Sequence, residues 1–193
     1  MNKKILIAAT LSALSFGANA ELPSFNFVEV GTTTQEHDAV GGDLGGFELA
    51  GCYEFDQSLY LAGSHVLTSD RGLDLSTSSL GIGYQYGIAD STLLYTQLDW
   101  ARVVMERDNA GKFDEPGYQL SVGVRSQVAD SVELQAAIKH LDAGEVDPTF
   151  GDYNPTFVVL GANYQFDNDM AVYAGYENES DSDRYSIGFR YEF

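Results

Sequence analysis

The residues best suited to chemistry are few and scattered. His140-Leu-Asp142 sets an imidazole and a carboxylate two residues apart, on one face if the segment is a strand. Such a pair can serve as a general base. Asp181-x-Asp183 has the spacing of an acidic pair, but solvated loop acids explain it more simply. His37 stands among acids and His65 alone, each an ordinary solvated or strand-end histidine. No Gly-x-Ser-x-Gly, His-Glu-x-x-His, cysteine pair or phosphate loop occurs, and Gly81-x-Gly83 belongs to a strand face. The single cysteine, Cys52, excludes an intramolecular disulfide. These residues predict no catalytic set, no cofactor and no metal ligands.

Composition and address narrow the class. Ten Lys+Arg against 29 Asp+Glu give a formal net charge of −19, so no basic surface for nucleic acid is expected. With 12 Tyr, 11 Phe and 20 Gly in alternating patterns, the chain is not composed like a disordered one. Met1-Asn-Lys-Lys4, an apolar run from Ile5 to Phe16 and Ala18-Asn19-Ala20 form the three parts of a secretory signal peptide. Cleavage after Ala20 leaves one domain over 21–193. The loss of Lys3 and Lys4 takes the charge from −19 by −2 to −21. Glu21, not Cys, follows the cut, so no lipid anchor is expected. Beyond Ala20 no run approaches the ~20 apolar residues of a membrane helix.

The elements that would position any site are strands. Phe47, Leu49, Gly51, Tyr53 and Phe55 alternate with Glu48, Ala50, Cys52 and Glu54, and similar period-two patterns recur down the chain. Ten strands are predicted, the first over 24–34, with Phe25 and Phe27 on one face, Val28 and Val30 on the other, and its facing open. Loops are expected over 35–46, 107–116 and 142–154, and tight turns after strands two, four, six and eight. The connections alternate in length, as short periplasmic turns and longer outer loops do in outer-membrane barrels. Short connections make neighbours antiparallel. In hydrocarbon a spanning sheet has no free edge, so strand ten pairs with strand one. Eight strands is the alternative number. Phe55, Tyr86, Tyr164, Phe166, Tyr191 and Phe193 collect beside tight turns or the terminus, and Trp100, Tyr118 and Tyr185 at the loop side, like two interfacial girdles.

One face of these strands carries Glu48, Glu54, Asp99, Glu133, Glu177 and Glu192 with Arg125, Lys139 and Arg190. A small barrel's interior is filled by side chains, and buried charges pair. The expectation is a largely plugged lumen held by a polar network. The alternative is a narrow cation-preferring pore, since acids outnumber bases.

The chain ends on Tyr185, Ile187, Phe189, Tyr191 and Phe193, alternating with Ser186, Gly188, Arg190 and Glu192. This ending resembles the C-terminal signal strand of bacterial outer-membrane β-barrels, which implies that Tyr185, Gly188, Phe189, Tyr191 and Phe193 are read by the barrel-insertion machinery. The mature chain as a whole is similar to the small porin-like outer-membrane barrels of Gram-negative bacteria. Phe25-Asn-Phe-Val-Glu-Val-Gly31 further resembles a proteobacterial subfamily of quorum-regulated surface barrels. The resemblance implies an all-β, closed antiparallel up-and-down transmembrane barrel without enzymatic residues, both termini periplasmic. Its function would be structural or surface contact. Its partners would be outer-membrane lipid and lipopolysaccharide, with Arg102 and Arg107 placed for phosphate and the acidic loops for bridging divalent cations. Ten-stranded omptin proteases carry a His/Asp pair, but they are far longer and use an acidic pair as well. A membrane-embedded hydrolase is the least favoured reading.

Overall fold

A computed structural model of the chain describes residues 22–37, 42–70, 72–107, 111–147, 151–179 and 182–193. The signal-peptide reading over 1–20, and Asp181 of the acidic pair, lie outside the described residues. The strands are β1 (Phe27–His37), β2 (Gly42–Asp56), β3 (Leu59–Asp70), β4 (Leu73–Ala89), β5 (Thr92–Arg107), β6 (Gly111–Ala129), β7 (Val132–Asp142), β8 (Glu145–Asp147), β9 (Gly151–Asp152), β10 (Thr156–Asp167), β11 (Met170–Glu179) and β12 (Ser182–Glu192). Ten close into an antiparallel barrel in the order β1-β12-β11-β10-β7-β6-β5-β4-β3-β2, and β8 and β9 pair separately. Closure runs through β1 and β12, from Phe27 opposite Glu192 to His37 opposite Ser182.

Alternation builds this wall. Successive side chains of a strand point to opposite faces, so Leu80, Ile82, Leu98, Leu120, Val122, Ile138 and Ile187 stand exposed outside while their neighbours turn inward. Leu80 is 64% and Tyr118 67% exposed. An apolar surface that wraps a whole barrel is one that hydrocarbon, not water, covers. All nine girdle aromatics named above point outward and are exposed. Cys52 is half-buried in the wall.

At the turn end, residues 57–58, 90–91, 130–131 and 168–169 form tight two-residue turns. Each last residue of these turns lends its carbonyl to the neighbouring strand: Ser58 accepts from Gln85 N–H, Ser91 from Gln127, Ser131 from Gln165 and Asp169 from Glu192, all at 2.8 Å. The same bond, repeated, ties that rim together. The opposite rim is the loop end.

Two predicted loops are largely strand. Over 35–46, β1 continues to His37 and β2 begins at Gly42; over 107–116, β6 begins at Gly111. Polarity in those stretches reports a water-facing sheet rather than irregular backbone. The strands run on past the apolar belt as a paired ladder, Arg107 opposite Gly111 and Arg102 opposite Pro116. Pro116 is tolerated because β6 meets β7 only from Tyr118 onward, so Pro116 lies where β6 is paired on one side alone. The loop over 142–154 contains β8 and β9. The first strand starts later than expected, at Phe27, and its facing is settled: Phe27 is buried inside, Val28 and Val30 lie outside.

Candidate functional site

The inward parity of each strand brings polar groups into one space, the lumen. At its turn end sits a buried ionic hub. Arg125, 2% exposed, donates from Nε and Nη2 to the two carboxylate oxygens of Glu133, each at 2.8 Å. Bidentate pairing of this kind has both direction and strength. Glu133 also accepts from Asn163 Nδ2 at 3.2 Å and Arg190 Nη1 at 3.3 Å. Arg190 reaches Glu29 at 2.8 Å and lies 3.7 Å from Glu192. Two guanidiniums thus meet a buried carboxylate whose oxygens are filled by four donor contacts, so the desolvated charges are compensated.

The residues before β1 complete this layer. Arg125 Nη1 donates to the Ser24 carbonyl at 2.8 Å, and its guanidinium lies 4.5 Å over the Phe25 ring. Phe25, 3% exposed, stacks on Tyr60 at 3.9 Å and meets Tyr95 edge-on at 5.9 Å. Phe27 lies 4.0 Å beneath Arg190. Asn26 Oδ1 accepts from Glu54 N–H, and its carbonyl accepts from Phe193 N–H. Residues 22–26 therefore form a strap across the turn end, anchored in an apolar cluster of Phe25, Tyr60, Leu93, Tyr95 and Ala137.

Midway up, Glu48 accepts from Tyr173 Oη at 2.6 Å and Ser186 Oγ at 2.8 Å. Asp99, fully buried, accepts from Gln97 and Gln119 at 2.9 Å, and Gln97 Oε1 accepts from Tyr60 Oη. Toward the loop end, Glu177 holds Lys139 at 2.6 Å and Arg184 at 2.5 Å. Above them Phe113, Tyr153 and Phe157 pack on buried Ala101, Val103, Leu141 and Ala143. Burial, reinforced by Glu179, raises the Tyr153 phenol.

The expected lumen residues thus fall into four groups: Arg125, Glu133 and Arg190 together, Lys139 and Glu177 together, and Glu48 and Asp99 each in a separate network of uncharged partners. Glu54 stands apart at the turn-end rim, half-buried. Sequence reasoning missed Glu29, Arg184, Phe25 and Tyr173. Arg184 shares the parity of Arg190 and was readable. Glu29 shares that of Phe27 and was hidden by a first strand apolar on both faces.

Of the terminal-strand residues, Tyr185, Phe189, Tyr191 and Phe193 face outward. Gly188 faces inward, where a Cβ would collide with the Tyr173 ring and the β1 backbone. His140 and Asp142 lie on the exposed side of β7. His140 Nδ1 bonds Thr156 Oγ1 at 2.9 Å, and Asp142 accepts from Gly144 N–H at 3.2 Å. His65 bonds Ser78 on the outer face of β3 and β4. Arg102 is bidentate on Asp114, at 2.6 and 2.8 Å. Among the described residues no cluster of three His, Cys, Asp or Glu is placed to hold a metal.

A family model described as "Outer membrane protein beta-barrel domain" matches residues 6–166. No curated protein matches. Among solved structures the chain is similar to the KdgM porin, 11% identical over 86% of this chain and 99% of that one, TM-score 0.49. It is similar to Neisserial surface protein A, 15% identical over 88% and 98%, TM-score 0.46. It is also similar to Pseudomonas aeruginosa OprG, 12% identical over 92% and 99%, TM-score 0.46. These likenesses carry no residue roles.

Proposed function

The chain belongs to the outer membrane protein β-barrel family, whose place is the bacterial outer membrane, and from that premise we propose a non-enzymatic barrel with a plugged lumen and a structural or surface-contact role. The observation that carries the reading is the compensated Arg125–Glu133–Arg190 hub, roofed at the turn end by Ser24 and Phe25. A satisfied polar core rigidifies a barrel and leaves no free charge for a solute. The outward setting of His140 argues against a hydrolase acting inside the lumen. In this reading the tight turns and both termini are periplasmic and the long strand extensions face the medium. The terminal aromatics address the insertion machinery, and the belt contacts lipid and lipopolysaccharide. The salt bridge to Asp114 leaves Arg102 less available to phosphate, so Arg107 is the better candidate.

A second reading, a narrow cation-preferring channel, draws on the cavities of about 200 and 80 Å³ that succeed one another along the lumen. Cation flux into proteoliposomes separates the two. With the refolded 21–193 chain, potassium should enter no faster than into protein-free vesicles; uptake that rises with the protein-to-lipid ratio would overturn the plugged reading.

A further inference from the structure

We infer that residues 22–26 are a displaceable plug, and that the barrel becomes a pore for small cations when they leave. The inference rests on the plugged-barrel reading and assigns its closed state to one segment.

The strap is not part of the wall. It precedes β1 and joins the barrel covalently at Phe27, while Leu22 at its other end is 46% exposed. Its hold consists of one aromatic anchor, Phe25 against Tyr60, Tyr95 and the Arg125 guanidinium, together with the bond from Arg125 to the Ser24 carbonyl and those made by Asn26. Leu22, Pro23 and Ser24 form a common wall of two turn-end cavities, about 400 and 330 Å³, so they partition one vestibule. The larger cavity shares Asn163 with the central cavity of about 200 Å³. The central cavity shares Lys139, Glu177 and Arg184 with the loop-end cavity of about 80 Å³. From vestibule to loop end, then, each space shares lining residues with the next.

The path is acidic. Glu29, Glu48, Glu54, Glu133, Glu177 and Glu192 line it, against Lys139, Arg184 and Arg190. Withdrawing the strap takes the Ser24 carbonyl and the Phe25 ring from Arg125 and leaves it held by its bidentate pair with Glu133 beneath an emptied vestibule. A small cation meets a carboxylate-rich lumen and narrow constrictions, whereas a sugar meets only the constrictions.

Cys52 is a built-in reporter, because it faces inward and packs on the Phe25 cluster. In the refolded 21–193 chain, a small cationic methanethiosulfonate added at the turn end should modify it slowly. In Phe25→Ala, or after deletion of residues 22–25, the rate should rise at least tenfold, and the deletion variant should show discrete cation-selective steps in a planar bilayer. Phe25→Leu should stay slow. Heat-modifiable gel migration checks that each variant is folded; should the deletion variant not fold, Phe25→Ala carries both measurements. Unchanged Cys52 rates in folded variants would overturn the plug, and a silent bilayer despite exposed Cys52 would overturn the pore. Both results leave the plugged reading intact. Steps from the unaltered chain would remove that reading as well.

Discussion

Arg125 and Glu133 are the residues on which the interior turns. Removing one partner of a buried pair leaves the other charged and desolvated, which costs about 3–5 kcal/mol. Arg125→Met should therefore lower the unfolding free energy of the lipid-reconstituted barrel by that amount in urea titrations. Arg125→Met combined with Glu133→Leu should cost less than the sum of the two single changes. Additive costs would mean that the pair is not coupled. The geometry of the hub exceeds what alternation can say. Period two predicts that Arg125, Glu133 and Arg190 face inward, but that they meet follows from register: Arg125 lies opposite Gln135 and Gln127 opposite Glu133 across β6 and β7. Glu133 likewise lies opposite Asn163 across β7 and β10. No local signal in the sequence sets these offsets.

At the scale of strands, three inward tyrosines each lie against a glycine directly across a strand pair: Tyr60 opposite Gly83, Tyr95 opposite Gly123 and Tyr173 opposite Gly188. A Cβ at any of the three glycines would enter the facing ring. A strand glycine that admits a close neighbour is a packing device, and Gly188→Ala should cost about 1–3 kcal/mol through overpacking. Urea midpoints would read that loss, and a midpoint within error of the unaltered chain would deny the contact a role. On the outer face the expectation is different in origin. Leu98→Arg, opposite Leu120 in the belt, should cost about 2–4 kcal/mol if the position is near the bilayer midplane. The same substitution should be nearly silent if that face meets water. Strand number, and facing in every strand but the ambiguous first, were legible because each wall residue answers to lipid or lumen, and composition alternates accordingly. Strand ends were not: beyond the belt both faces meet water, so 107–116 reads as loop although most of it is ladder. The strap was missed for a related reason, since Phe25 continues the parity of Phe27 while lying outside the strand.

Among the described residues the molecule is a closed wall with two unlike ends: tight turns, Phe193 and the strap at one, extended strands and the β8–β9 pair at the other. Its orientation is testable in intact cells with a membrane-impermeant maleimide. On a Cys52→Ser background, Lys112→Cys should label and Asn168→Cys should not; the reverse pattern would invert the proposed topology. The formal charge of −19 gives any conducting state a preference for cations, which salt should weaken.

The central claim is that the resting barrel is shut, and planar-bilayer conductance of the refolded 21–193 chain tests it most directly. With insertion confirmed by recovering heat-modifiable protein from the bilayer lipid, the account predicts a silent trace. Discrete cation-selective steps from the unaltered chain would contradict it and identify the carboxylate-lined lumen as an open channel.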